Sequence, residues 1–211
     1  MHHFKVLILI LLSFELWAQD ERYYRQILKG ELPSFGNEMV WTGEEKFSVD
    51  GAQYILDLNG DGIDEVIQPK KRDGVDWLEI KDSSMRNIFE AKLLAMGGNS
   101  SIYKIKLAHL SGSVRVLIVF LDEGKTEGRR FESTARIFLI PFENNDLRTM
   151  KLTQGPHHFQ EKEAQREQYW RRDYNVEVRD VNQDGIRDVV VSYHHIQRIM
   201  LYSGNGNWTR L

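Results

Sequence analysis

Two short stretches of the chain set oxygen-bearing side chains at alternate positions around a glycine. In the first, DLNGDGIDEV, Asp57, Asn59 and Asp61 stand at positions 1, 3 and 5, Gly62 at 6, Ile63 at 7 and Glu65 at 9. In the second, DVNQDGIRDVVV, the same positions hold Asp180, Asn182, Asp184, Gly185, Ile186 and Asp188. Odd positions of a tight loop converge on one point, and glycine at 6 lets the backbone turn through positive φ. Carboxylates, an amide oxygen and the main-chain carbonyl of Ile63 or Ile186 form an all-oxygen set. Such a set suits Ca2+, whereas Mg2+ demands tighter octahedral geometry and keeps more water.

The chemistry expected of such an ion is structural. Five protein oxygens nearly fill its shell, and a catalytic metal needs an open position. Each stretch begins like an EF-hand but ends differently. Position 12, where an EF-hand has a bidentate Glu, is Gln68 in one and Val191 in the other. Both run on into apolar residues that read as a strand. The bland alternative is a pair of metal-free turns, since Asp, Asn and Gly favour turns in any case.

Around these stretches the chain reads as short apolar runs split by Gly, Asn and Asp clusters. The runs predict strands at Tyr54–Leu56, Val66–Gln68, Val75–Ile80, Ile102–Leu107, Val114–Leu121, Ala135–Phe142, Val176–Val178, Val189–Tyr193 and Ile199–Tyr202. Many short strands with regular turn signals indicate an all-β sandwich, barrel or propeller. Between the two acidic stretches, HLSGSVRVLI (His109 to Ile118) aligns with them after one deletion and lacks their acids. Three repeats follow, near residues 45–95, 100–152 and 174–211. Two helices are expected as well. One is short and N-terminal, over Glu21–Lys29, with Gly30 as its stop. The other is a polar insertion over Phe159–Arg172, rich in helix formers and without an apolar stripe.

The acidic stretches and the strands that follow them resemble FG-GAP/VCBS repeats of integrin-type β-propellers. The resemblance is clearest from Val176 to Leu211, where VEVRDVNQDGIRDVVVSY precedes RIMLYSG and GNGNW. It implies a propeller-like array of about three units within a single domain over residues 19–211. It also implies bound calcium, and a role in binding or structure rather than catalysis. The middle copy departs from the pattern at every acidic position.

The remaining features bound the function. Residues 1–18 read as a secretory signal peptide, with the apolar run VLILILLSF and Ala18 before the cut. That run falls short of the roughly 20 residues that span a bilayer, so the mature protein is expected to be periplasmic or extracellular, with no membrane span. The net charge of −3 leaves no electrostatic footprint for nucleic acid. The absence of cysteine excludes disulfides and thiolate chemistry. No G-x-S-x-G elbow or P-loop is present. The pairs His157-His158 and His194-His195 are adjacent, and neighbours on a strand face opposite ways. The reading is a non-enzymatic module with a protein or glycan partner, a monomer in preference to a dimer. Two alternatives stand beside it. One is a hydrolase with its site on Asp122–Arg130 or Gln154–Arg172 and calcium as scaffold; the other is a carbohydrate-binding module.

Overall fold

The structure is a computed structural model that describes residues 45–47, 53–95, 99–126, 132–164 and 168–211. The expected signal peptide and N-terminal helix lie outside the described residues. The described chain is all-β, with one 3-10 turn at Leu147–Thr149.

Strand β1 (Glu45–Phe47) is followed by a four-stranded meander of β2 (Tyr54–Leu56), β3 (Glu65–Arg72), β4 (Val75–Lys81) and β5 (Asn87–Leu93). The longest strands come next: β6 (Ser101–His109), β7 (Val114–Thr126), β8 (Glu132–Glu143), β9 (Thr153–Ala164) and β10 (Gln168–Asp173). With β1 paired to β6, they form a six-stranded antiparallel sheet in the order β1-β6-β7-β8-β9-β10. A second four-stranded meander ends the chain, made of β11 (Asn175–Arg179), β12 (Asp188–Tyr193), β13 (Ile196–Tyr202) and β14 (Trp208–Arg210).

The side-chain pattern of β7 explains how the sheets stack. Successive residues on a strand face opposite ways, yet Val116, Leu117, Ile118, Val119 and Leu121 are all fully buried. Leu117, Val119 and Leu121, with Phe138, Ile140 and Phe142 of β8, pack on Leu56, Ile67, Leu78, Ile80 and Leu93 of the first meander. Val116, Ile118 and Phe120, with Ile137 and Leu139, pack on Val176, Val189, Val191, Met200 and Tyr202 of the last meander. The six-stranded sheet is therefore the middle layer of three. A strand covered on both faces must be apolar throughout rather than alternating, which is why VRVLIVFL is nearly unbroken.

One expected element is overturned. Phe159–Ala164 and Gln168–Arg172 are strand rather than helix; they lie in the paired β9 and β10, with Phe159 opposite Asp173, Glu161 opposite Arg171 and Lys162 opposite Trp170. Arg171 lies over the Phe159 ring and Arg172 over Trp170, each about 5 Å from the ring centre. Only the first of these contacts crosses the hairpin, the second running along β10. Cross-strand pairs such as Arg171 with Phe159 or Glu161 stabilise a hairpin by up to about 1 kcal/mol each, enough to outweigh the small helix preference of Glu, Lys, Gln and Arg.

Candidate functional site

Each acidic stretch joins the first two strands of its meander: Asp57–Asp64 links β2 to β3, and Asp180–Arg187 links β11 to β12. The two loops fold by the same hydrogen bonds. Asp57 Oδ1 accepts from the Gly60 amide (2.6 Å) and Oδ2 from the Gly62 amide (2.9 Å). Asp180 does the same with Gln183 (2.7 Å) and Gly185 (2.9 Å). Asn59 Oδ1 accepts from Asp61 N, and its amide donates to Asp61 Oδ2. Asn182 and Asp184 repeat this pair. Asp61 and Asp184 each accept, at 2.8 Å, from the amide of the isoleucine two residues on, Ile63 or Ile186. Gly62 and Gly185 take φ of 83° and 85°, a region that a Cβ disfavours.

The acid at position 9 is the anchor of each loop. Glu65 and Asp188 are the first residues of β3 and β12 and are buried. Glu65 Oε2 accepts from Leu58 N (2.8 Å), and Asp188 Oδ2 accepts from Val181 N (3.1 Å). Asp188 also accepts, through Oδ1, from Tyr202 N on β13 (3.0 Å). A buried carboxylate must be hydrogen-bonded to offset its lost hydration. Burial, opposed by the Leu58 amide and reinforced by Asp61, Asp57 and Asp64, holds the Glu65 carboxyl above the usual carboxylate range.

The acid-free copy lies beside both loops. Its turn, Leu110–Ser113, links β6 to β7 and closes on the Val114 carbonyl, which accepts from Leu110 N and Ser111 N. The Arg187 amide of the second loop donates to the Leu110 carbonyl (2.8 Å). Arg115 of β7 reaches the first loop, where Nη1 donates to the Leu58 carbonyl (2.7 Å). Its guanidinium covers Gly60 so closely that a Cβ there would meet Nη2 at 2.6 Å.

The donor chemistry and the crowding of acids fit a hard cation. In each loop the Asn and Asp at positions 3 and 5 bond one another, while the Asp at position 1 bonds the amides at positions 4 and 6. Asp61, Asp180, Asn182 and Asp184 are exposed, as is Ile63, while Ile186 packs on the core. Among the described residues no three His, Asp or Glu side chains are gathered tightly enough to hold an ion by themselves. A cation in either loop would need amide and main-chain oxygens besides the carboxylates.

Two clusters carried no sequence signal, because their members come from distant strands. Glu123 on β7 is fully buried and accepts from Thr134 Oγ1 (2.8 Å) and Arg136 Nε (3.1 Å), with His157 Nε2 at 2.7 Å. These partners outweigh burial and lower its pKa to about 2. Beyond it, Arg136, Pro156, His157, Arg198, Ile199, Met200, Arg210 and Leu211 line a cleft of about 260 Å3. Nearby on the same sheet, Tyr103, Asp122, Ala135, His158, Phe159 and Asp173 line a second, of about 250 Å3. There the Tyr103 hydroxyl hydrogen-bonds His158 Nε2. Burial, aided by Lys104, lowers the His158 pKa to about 4.

No family model matches this chain, and neither a curated protein nor a solved structure matches it.

Proposed function

We propose that the protein is an exported, non-enzymatic module of the cell envelope or extracellular space, stabilised by calcium in two loops. In this reading Asp57, Asn59, Asp61, the Ile63 carbonyl and Glu65 hold one ion, and Asp180, Asn182, Asp184, the Ile186 carbonyl and Asp188 the other. The ions tie β2 to β3 and β11 to β12, and the stacked sheets serve as a propeller-like platform for a protein or glycan partner. The observation that carries the reading is the shared hydrogen-bond set of the two loops. Turns that only reverse the chain have no reason to keep Asp, Asn, Asp and a buried acid in one register 123 residues apart (Asp57 to Asp180). Calcium-dependent melting tests it. Calcium into the millimolar range, where extracellular sites bind, raises the melting temperature, and chelator reverses the rise. A melting curve indifferent to both would reduce the stretches to turns.

One observation favours a second reading. The Tyr103–His158 cleft places Asp122 and Asp173 beside a neutral imidazole, and it draws on both segments that the hydrolase alternative named. An activity panel of esters, phosphoesters and glycosides, compared between the protein and His158→Gln, separates this reading from the first.

A further inference from the structure

The cleft between β8–β9 and β13–β14 has an unusual charge inventory. Three guanidinium groups, Arg136, Arg198 and Arg210, stand on walls drawn from two different sheets. Arg136 is neutralised by Glu123, at 3.1 Å behind it. The other two are held by groups that orient without neutralising. Arg198 Nη1 donates to the His157 carbonyl (2.9 Å), its Nη2 lies 3.4 Å from the Tyr174 hydroxyl, and its guanidinium covers the Tyr174 ring. Arg210 Nη2 donates to the Gln154 carbonyl (2.6 Å). Among the described residues neither has a carboxylate partner. Leu211 on the rim pairs main chain to main chain with Ile199 in both directions.

Each guanidinium offers five N–H donors in a planar fork. The bonds above use two from Arg198 and one from Arg210, so most of the fork of each is free. Two like charges turned into one cleft repel, and an anion between them removes that cost while taking charge-assisted hydrogen bonds from both. The floor differs from a plain phosphate site, for Pro156, Ile199 and Met200 add apolar surface beside the cations. The volume suits a small molecule and falls below that of most drug-sized sites.

We propose that this cleft binds a small organic anion, its carboxylate or phosphate head between Arg198 and Arg210 and its apolar part on Pro156, Ile199 and Met200. Arg136, already bonded to Glu123, the Gly155 carbonyl and His157, lines the back of the cleft and fixes its wall. The site shares no residue with the acidic loops and does not depend on calcium there.

Calorimetric titration of the full chain tests this, run in chelator at constant ionic strength with sodium acetate, benzoate and phosphate, against chloride as the blank. Saturable binding is expected, with benzoate tighter than acetate because it covers the apolar floor. The phosphate arm tells whether the head is planar or tetrahedral. Loss of one charge-assisted partner weakens binding about ten-fold, so Arg198→Gln and Arg210→Gln should each do so, while Lys92→Gln on the first meander leaves it unchanged. Arg198 also positions Tyr174, so Arg210→Gln, on an exposed terminal strand, carries the test if Arg198→Gln unfolds. No saturable heat with any of the three anions through the millimolar range overturns the proposal. So does binding that survives Arg210→Gln undiminished.

Discussion

At position 8 the first acidic loop has Asp64 where the second has Arg187, and at position 4 it has Gly60 where the second has Gln183. The hydrogen bonds are shared, but charge is managed differently. The first loop holds Asp57, Asp61, Asp64 and Glu65 and borrows a cation, Arg115, from the neighbouring sheet. The second carries Arg187 within itself and gives its anchor, Asp188, two amide partners where Glu65 has one. Loop geometry is thus set by the Asp-x-Asn-x-Asp-Gly core. The response to a cation is set by what surrounds it. Arg115 stands over Gly60 and bonds the Leu58 carbonyl without pairing a loop carboxylate; its charge beside the first loop should leave calcium less to gain there.

The largest test of this contrast is removal of the ion. One site at 100-fold excess over its Kd contributes about 2.7 kcal/mol. Chelation should therefore lower the melting temperature of the intact protein clearly. Asp184→Ala removes most of the calcium response, Asp61→Ala removes a smaller part, and the double variant melts alike with calcium and chelator. Equal losses from the two single variants would break the comparison.

Acid separates the loops from the core more finely. Glu123 is held at about 2 in the folded protein, against roughly 4.3 for an unperturbed Glu. A lowered carboxylate pKa stabilises the fold above the unfolded value and loses that contribution as pH falls from about 4.5 towards 2. The loss is on the order of 3 kcal/mol. His158, buried and neutral with a pKa of about 4, acts earlier. Its unfolded form takes a proton near pH 6.5, so stability declines from there to about 4. Denaturant titrations at stepped pH should show both windows, and His158→Gln should remove most of the upper one, to which His109, also lowered by burial, adds the rest.

Glycine exchange gives a smaller effect. Gly62→Ala and Gly185→Ala force a Cβ into positive φ with open space around it, costing about 1 kcal/mol each. Gly60→Ala costs more, because its Cβ also displaces Arg115. Gln183, at φ 62° in the matching position, already bears such strain, so Gln183→Gly should stabilise by about 0.5 kcal/mol. Chemical denaturation of the four variants in chelator gives the ranking. The smallest effect is electrostatic. Arg115→Gln frees the first loop of its borrowed cation and should raise that loop's calcium affinity several-fold at low salt, with the gain fading as ionic strength rises.

What could be read from the sequence follows from where each signal lies. The acidic loops are local: every residue of the hydrogen-bonded set falls within nine positions, so spacing alone brought Asp57 to Glu65 and Asp180 to Asp188 together. The strands of the middle layer announce themselves because burial on both faces leaves only apolar residues, as in β7. Strand β5 has a weak signal because NIFEAKL buries only Ala91 and Leu93, with Ile88 and Phe89 packing half-buried on the core and no clean alternation. The β9–β10 pair reads as a helix in sequence because it is rich in Glu, Lys, Gln and Arg. The cue that could have found it is the aromatic content, Phe159, Tyr169 and Trp170, at positions that pair across strands. The arginine cleft had no linear signature at all. Arg136, Arg198 and Arg210 are single cations on separate strands, and only the stacking of the sheets makes them neighbours.

The middle layer also constrains the order of events at synthesis. Its strands are made before β11–β14, the sheet that covers Val116, Ile118, Phe120, Ile137 and Leu139. Until the last segment arrives, the growing chain bears an apolar face flanked by long strands, the kind of surface on which chains aggregate. The C-terminal meander is therefore the step that makes the product safe to release. Chains cut short before Asn175 should accumulate as aggregates, whatever the acidic loops bind.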